Sequence, residues 1–225
     1  MRRLANTLFL GPTLLLFGLF FILPMGMLVI FSFQGADGFT LDNYIQVLTN
    51  PRYSKSLWNS FWLSVVVTAG TLVLSGLIAF FLARTEFKGK NLYMTLITFP
   101  ASLPGVVVGF MIIVLFGNTG VVPMLTRQIT GKAIGSFAYT ITGIFFAYLY
   151  FMIPKIVMTV HGAVVEFDRR LEEAARTIGA NELQALLYVV IPTLAPAFIS
   201  AAAISFYTSM GAFGTAFTLA NQFEI

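Results

Sequence analysis

The residues best suited to chemistry in this sequence are concentrated between Glu166 and Glu182. This charged segment holds eight of the chain's 22 Asp, Glu, Lys and Arg side chains, which can form ion pairs and hydrogen bonds with a partner in water. Covalent and metal chemistry have few candidates, because the sequence contains no cysteine and only one histidine, His161. Thiolate nucleophiles, disulfides and multi-histidine or cysteine metal sites are therefore excluded, and the charged segment favours recognition over catalysis.

The charged segment is patterned as a helix, a glycine stop and a second helix. Asp168 is a potential N-cap for a helix over 169–178, and Gly179 follows as its C-terminal stop. Asn181 with Gln184 three residues later resembles a capping box for the next helix. One side of the first helix is apolar and small, with Leu171, Ala174, Ala175 and Ile178. Such a side lets another protein approach closely, although periodicity alone also fits a plain solvated loop.

The elements that position this segment must lie in a membrane. Hydrophobic residues make up 58% of the chain and charged residues 10%, whereas soluble domains carry about 25% charged residues. The mean hydropathy is +0.88, so a soluble particle of this composition would expose much of its apolar surface. The 13 basic residues are spread along the chain rather than clustered, which argues against nucleic-acid binding.

We expect an all-α, polytopic membrane bundle in which residues 1–225 form one transmembrane domain. A helix needs about 20 mostly apolar residues to cross the hydrocarbon core. That length predicts five spans, at about 8–33, 61–83, 92–116, 138–160 and 195–220. Residues 161–194 are then a loop between the fourth and fifth spans, and Pro192 and Pro196 are expected to bend the chain as it enters the fifth span.

The distribution of Lys and Arg predicts that the N-terminus is cytoplasmic. In that orientation nine basic residues lie inside: Arg2, Arg3, Arg84, Lys88, Lys90, Lys155, Arg169, Arg170 and Arg176. Four lie outside: Arg52, Lys55, Arg127 and Lys132. The charged segment then faces the cytoplasm, and five crossings place Glu224 and Ile225 on the outer side.

The interiors of the predicted spans lack acidic residues and contain small and hydroxyl-bearing ones. Gly105 and Gly109 form a GxxxG pattern in the third span, which predicts close helix packing. Four small residues recur along one face of the fifth span, at Ala197, Ala201, Ser205 and Ser209. Close packing explains this face, and a role in lining a solute pathway is the alternative for Ser205, Tyr207, Thr208 and Ser209.

At the charged segment the sequence resembles the EAA loop of binding-protein-dependent ABC importer permeases. The pattern EAA-x3-G-x9-I-x-L-P is matched at seven positions: Glu173, Ala174, Ala175, Gly179, Val189, Ile191 and Pro192. Five are identical, while Val189 and Ile191 are aliphatic substitutions. The match lies at the predicted cytoplasmic position between two spans.

The resemblance extends over nearly the whole chain. Residues 39–44 and 57–60 look like the family's entry to its core helices, and residues 205–219 are similar to the fifth span of permeases for polyamines, ferric iron, phosphonates and oxyanions. Where many relatives have an acidic residue after a glycine, this chain has Ala212. That departure weakens an oxyanion assignment, so the resemblance favours a polyamine, ferric iron or phosphonate-like solute.

The resemblance implies a type I importer permease in the bacterial inner membrane. Its partners would be ABC ATPase subunits, a second identical or different permease subunit, and an extracytoplasmic solute-binding protein. The ATPase-coupling residues would be Glu172, Glu173, Ala174, Ala175, Arg176 and Gly179. Relatives continue through a sixth span, so we also expect a C-terminal helix beyond this chain.

Two other functions remain open on the residues alone. ATP and Mg²⁺ would be bound by the partner ATPase, because this chain has no G-x4-G-K-[ST] loop, and the chain itself should bind no cofactor. A secondary carrier or channel without an ATPase is one alternative. An intramembrane enzyme is another, but one histidine and no buried acidic pair leave it without a catalytic constellation or a metal site.

Overall fold

The computed structural model describes residues 2–35 and 38–219, which are almost entirely helical. The chain divides into two compact units, residues 1–58 and residues 59–225. Five described helical stretches are long and apolar enough to cross a membrane: Leu10–Ser32, Pro51–Arg84, Gly105–Thr130, Ile141–Glu166 and Glu182–Met210. The predicted helical membrane bundle with five spans is therefore confirmed, although several bounds differ. Ala220, Glu224 and Ile225, which the predicted topology also used, lie outside the described residues.

The first unit is a long helix followed by a small hairpin. Helix α1 (Arg2–Phe17) continues through a π-helical turn (Gly18–Ile22) into α2 (Leu23–Ser32). Strands β1 (Gln34–Gly35) and β2 (Gly38–Phe39) pair antiparallel, with Gln34 opposite Phe39 and Gly35 opposite Gly38, and α3 (Asp42–Thr49) follows. Asn43 Nδ2 donates to the carbonyls of Ser32 and Gln34, both at 3.0 Å. This amide ties the start of α3 to the end of α2.

The remaining helices form the bundle that carries the charged segment. They are α4 (Pro51–Arg84), α5 (Lys90–Thr98), α6 (Gly105–Phe116), α7 (Val121–Thr130), α8 (Ile141–Glu166), α9 (Arg169–Thr177), α10 (Glu182–Ala185), α11 (Ile191–Met210) and α12 (Phe213–Leu219). Outward side chains stay apolar, as at Leu77, Val114 and Ile199, which are more than 60% exposed. A water-facing bundle would place polar groups there, so these surfaces suit lipid or another membrane subunit.

The third predicted span is interrupted. Over 92–116 the chain forms α5, a 3-10 turn (Phe99–Ser102) and then α6. Pro100 and Pro104 explain the interruption, since each lacks an N–H and Pro104 disfavours helix at Leu103, which is extended. The apolar stretch therefore begins at Gly105 rather than at residue 92.

Helical structure continues through Pro192 and Pro196, so these prolines do not interrupt the helix, and the bend expected there stays a prediction. A π-helical turn (Leu186–Val190) precedes Pro192, and the N–H of Ile191, the residue that follows this turn, donates to the carbonyl of Leu186. A proline ring clashes with the carbonyl four residues earlier, here that of Tyr188, and the wider π turn accommodates the clash. Pro24 follows the π turn at Gly18–Ile22 in the same way.

The helical ends shorten the predicted loop and divide the predicted fifth span. Helix α8 runs to Glu166 and the next candidate span begins at Glu182, so the loop expected over 161–194 contracts to about 167–181, a segment that contains α9. At the other end, α11 stops at Met210 and α12 begins at Phe213. The predicted span over 195–220 is thus two helices with a break at Gly211–Ala212.

Two apolar clusters form the core of the bundle, and α8 contributes to both. The first joins α4, α6, α8 and α12 around residues such as Val67, Val108 and Met152. The second joins α4, α8 and α11 around Ala79, Ile156 and Leu194. Because α4 enters both clusters, it is held along much of its length.

The GxxxG pattern packs as predicted. A Cβ added to Gly105 would lie 2.6 Å from Thr215 Oγ1, and one added to Gly109 would overlap Thr218 Oγ1. Thr215 Oγ1 donates to the Gly105 carbonyl at 3.0 Å. The two glycines therefore allow α12 to approach the α6 backbone, and close helix packing is confirmed.

Candidate functional site

The caps predicted for the charged segment are all present. Asp168 Oδ1 accepts from Arg170 N–H at 3.0 Å at the start of α9. At the other end Gly179 has φ +97°. Asn181 Oδ1 accepts from Gln184 N–H at 2.8 Å while Gln184 Oε1 accepts from Asn181 N–H at 2.9 Å, completing the capping box at α10.

Helix α9 ends in a Schellman motif. Ala180 N–H donates to the Ala175 carbonyl at 3.1 Å, and Gly179 N–H donates to the Arg176 carbonyl at 3.0 Å. This 6→1 and 5→2 pairing requires a left-handed residue at position 179, which glycine adopts without steric cost. Both ends of α9 are therefore fixed by short-range hydrogen bonds, and a helix of nine residues keeps a defined shape outside the spans.

The four apolar residues that share a side in the sequence pattern do not share one environment. Ala175 is 8% exposed, whereas Ile178 is 88% exposed and Leu171 is also exposed. Ala174 is exposed too. Of the two alanines, Ala174 is the one that another protein can reach, while Ala175 packs within this chain.

The side of α9 that faces away from the bundle consists of Glu173, Ala174, Thr177 and Ile178, all exposed. We call this the open face of α9. Positions i, i+1, i+4 and i+5 lie on one side of a helix. Glu173 forms no ion pair with any described residue, and Thr177 Oγ1 donates to the Glu173 carbonyl at 2.9 Å. The open face thus offers one free carboxylate, small side chains and one large apolar side chain.

Glu172 lies on the opposite side of α9 and is paired within the chain. Its carboxylate accepts from Arg84 Nη2 at 2.8 Å and from Arg84 Nη1 at 3.2 Å. Arg176 Nη2 donates to the same carboxylate at 3.2 Å, and Arg176 Nη1 lies 3.4 Å from Glu182 Oε1. The hydrogen bonds from Arg84 lower the pKa of Glu172, and partial burial of the carboxyl opposes them. Sequence reasoning placed Glu172 and Arg84 on one side of the membrane but missed their contact.

The continuation of the EAA-like pattern anchors the charged segment to the bundle. Val189 is half-buried, while Ile191 and Pro192 are exposed. Between and after them, Val190 and Leu194 are buried in the second core cluster. The segment after α10 is therefore joined firmly to the spans, so a displacement of α9 reaches α11 through ordered helix.

The four pathway candidates do not lie together. Ser205 and Ser209 are buried on one face of α11, which fits the packing interpretation. Tyr207 is exposed on another face, and Thr208 Oγ1 donates to the Ile204 carbonyl at 2.6 Å. These residues do not line a common surface in this conformation.

A set of buried hydroxyls was not predicted. On α4, Ser64, Thr68, Thr71 and Ser75 are buried at spacings of four, three and four residues. Ser75 Oγ donates to the Ile153 carbonyl at 3.3 Å, but the other three, and Ser205 and Ser209, have no hydrogen-bond partner among the described residues. The helical spacing on α4 was the signal in the sequence that would have identified them.

The amino-acid sequence matches known proteins along most of its length. The family model for the inner membrane component of binding-protein-dependent transport systems matches residues 73–223. The sulfate transport system permease protein CysT of Salmonella typhimurium is 34% identical over 216 residues, covering 96% of this chain and 75% of that protein. The spermidine/putrescine permease protein PotB of Haemophilus influenzae is 28% identical, covering 87% of this chain and 71% of that protein.

A solved structure has the same fold. The crystal structure of a bacterial ABC transporter that imports the acidic polysaccharide alginate matches 94% of this chain and 75% of its own, with a TM-score of 0.77 and 17% identity. At that identity the match concerns the fold alone. The overall arrangement of the helices is therefore similar in the two chains.

Proposed function

The chain belongs to the inner membrane components of binding-protein-dependent transport systems, and from this membership we propose that an ATPase drives it through the open face of α9. The chain is the permease of a type I ABC importer and not an enzyme. ATP hydrolysis takes place in a partner subunit, and ATP and Mg²⁺ are held there. Membership of this family rules out the hypotheses of a secondary carrier, a channel and an intramembrane enzyme, which were considered from the residues alone.

The exposure of Ile178 is the observation that carries the proposal. A branched apolar side chain that is 88% exposed, outside the spans and beside Ala174, indicates a surface that a partner covers. Burial of such a side chain contributes about 1.5–3 kcal/mol. Glu173 adds a carboxylate that can pair with a basic residue of the ATPase.

The geometry suggests how ATP drives the permease. Closure of the ATPase dimer on ATP displaces α9 as a rigid body, because both of its ends are capped. The displacement passes into α8 on one side and α11 on the other, which tilts the bundle and alternates access to the solute pathway. A second permease subunit completes the pathway, and an extracytoplasmic binding protein delivers the solute.

Co-purification of the complete importer tests the docking surface. The chain would be tagged and expressed with its ATPase, second permease and binding protein. Ile178→Ser should weaken ATPase binding by about tenfold, since about 1.4 kcal/mol corresponds to that factor, and Glu173→Lys should weaken it by charge reversal.

The matched control is Ile129→Ser on α7, because Ile129 is also exposed at 81% but lies away from α9 in sequence and in the predicted topology. The control should retain ATPase at the parent level. Equal retention of ATPase by Ile178→Ser and Ile129→Ser would refute docking on the open face.

For the solute, we infer a small inorganic oxyanion of the sulfate type. The sulfate permease is 34% identical to this chain and the polyamine permease 28%. Within the five candidate spans only Glu166 and Glu182, both at span ends, are acidic, so no fixed midspan carboxylate would attract a polycation or repel an anion. The polyamine, ferric iron or phosphonate-like solute favoured in sequence remains the competing prediction.

Uptake by the reconstituted importer separates these solutes. Labelled sulfate should be imported when ATP and the cognate binding protein are present, and excess molybdate or phosphonate would show how broad the oxyanion class is. Import of labelled putrescine or ferric iron, with no import of sulfate, would overturn the oxyanion inference and leave the permease assignment intact.

We also propose that the N-terminus and α9 face the cytoplasm of a bacterial cell. The Arg84–Glu172 pair places the end of α4 and the charged segment at the same end of the bundle, as the predicted topology requires. In the predicted topology that side of the membrane carries nine of the 13 basic residues, in agreement with the positive-inside rule.

A further inference from the structure

We propose that Arg84 and Glu172 form a positioning link that fixes the angle of α9 against α4, so that movement of α9 is passed directly to the second span. The inference rests on the proposed function of α9 as the helix that contacts the ATPase. Neither residue touches the ATPase or the solute in this proposal. Their role is to connect the docking helix to a span that is remote from it in sequence.

The link is the long-range member of the ion pairs that the described residues form. The other pairs are Lys90–Glu86 and Arg176–Glu172, both four residues apart, and Arg176–Glu182 between adjacent helices. Arg84 and Glu172 are 88 residues apart. Without this pair, α9 would be joined to the spans at its two ends and through the packing of Ala175, leaving its rotation less restrained.

The pair has the geometry of a rigid connection. Both guanidinium Nη atoms of Arg84 donate to the two carboxylate oxygens of Glu172, and a two-point contact fixes orientation as well as distance. The Arg84 guanidinium also lies 5.5 Å from the centre of the Phe80 ring one turn earlier. A lysine would keep the charge at position 84 but lose the fork, so it could not reproduce this contact.

Arg84 and Glu172 are each restrained by neighbouring residues. Arg84 is the last residue of α4, whose Ala79 and Leu82 are fully buried just before it. Glu172 has a side chain only 12% exposed, and Arg176 holds the same carboxylate from one turn further along α9. A displacement of α9 is therefore passed to α4 through the short and well-restrained Arg84–Glu172 ion pair.

The link separates the roles of two neighbouring acidic residues. Glu172 faces the bundle and is paired, whereas Glu173 lies on the open face. Successive residues of a helix point about 100° apart, so the two carboxylates cannot share one partner surface. Glu173 is assigned to contact with the ATPase, and Glu172 to the transmission of its movement.

The test uses the complete importer in proteoliposomes, with ATP hydrolysis and the uptake of labelled sulfate measured on the same preparation, or of labelled putrescine or ferric iron if the importer carries that solute instead. Glu172→Gln and Arg84→Lys should each lower the solute imported per ATP at least about fivefold, the lower end of typical coupling effects. The amount of ATPase bound should stay at the parent level, because the open face is unchanged. The double variant Arg84→Glu with Glu172→Arg should import at least about twofold more solute per ATP than the less active of its two component single variants, Arg84→Glu and Glu172→Arg.

Lys90→Gln is the matched control, since it breaks a 2.7 Å ion pair that is local to one short segment; its uptake per ATP should match the parent. The inference is overturned if Glu172→Gln behaves like Lys90→Gln, if the reversed pair recovers nothing, or if Glu172→Gln loses bound ATPase as strongly as Ile178→Ser. Absence of ATP-dependent uptake in the parent importer would instead refute the proposed function itself.

Discussion

The contact between Gly105 and Thr215 allows a quantitative test of the packing between α6 and α12. A Cβ at position 105 would lie 2.6 Å from Thr215 Oγ1, whereas Thr215 Cβ and N would be 3.8 and 3.6 Å away. Thr215 is 1% exposed, so its hydroxyl has no solvent to turn into. Gly105→Ala must therefore displace this hydroxyl and break its 3.0 Å hydrogen bond to the Gly105 carbonyl.

The expected loss of stability follows from three contributions. Overpacking costs about 1–3 kcal/mol, and loss of an interhelical hydrogen bond in a membrane protein adds about 0.6 kcal/mol. Replacing a helical glycine by alanine returns about 0.5–1 kcal/mol. Gly105→Ala should thus lower the free energy of unfolding by about 0.6–3.1 kcal/mol. Thr215→Ala removes the obstructing atom, so the two changes should be coupled by about 1–3 kcal/mol.

Equilibrium unfolding in mixed detergent micelles, followed by tryptophan fluorescence, would measure these values for both single variants and the double variant. Gly162→Ala on α8 is the control, since a Cβ there meets no atom within 4 Å and should leave stability unchanged or raise it by up to about 1 kcal/mol. If Gly105→Ala unfolds at the same denaturant level as the control, or if the two changes are additive, α12 does not approach α6 through Gly105.

Two further predictions concern the charged segment. The chain has no native cysteine, so Ile129→Cys and Ile178→Cys introduce single reactive sites at positions that are 81% and 88% exposed. In intact cells a membrane-impermeant maleimide should label position 129, and position 178 only after permeabilisation; the reverse pattern would invert the topology. The pKa of Glu172 is lowered from its ordinary value of 4.5, so its pairing stabilises the fold fully above that pH and is lost as the pH falls through the lowered value. The stability difference between the parent and Glu172→Gln should be present at pH 7 and shrink below pH 4.5, and a difference that is constant with pH would contradict the role of this carboxylate.

The local features of the charged segment could be predicted because their causes lie within a few residues. Asp168, Gly179 and the Asn181–Gln184 pair act on backbone groups two to five residues away, and such short-range hydrogen bonding leaves a signature in the sequence. The five spans were predictable for a similar reason, since length and hydropathy are properties of continuous stretches.

The features that were missed depend on packing between distant parts of the chain. The Arg84–Glu172 pair joins residues 88 positions apart, and nothing local distinguishes Arg84 from the other basic residues at span ends. The exposure of Ile178 and the burial of Ala175 depend on which way α9 is rotated. The path of the helix through Pro192 was missed because a π turn is a property of backbone geometry that a proline-based rule does not include.

The hydroxyls of Ser64, Thr68, Thr71, Ser205 and Ser209, which have no hydrogen-bond partner among the described residues, have a consequence for how the bundle responds to force. A buried hydroxyl without a partner raises the free energy of the closed interior by about 1–3 kcal/mol, and water satisfies it as soon as the helices part. Wetting of these hydroxyls therefore offsets part of the free energy needed to separate the apolar surfaces around them. The helices of this subunit therefore need less free energy to separate than helices with a fully apolar interior would, so a small displacement at one end of the bundle can separate helices farther along.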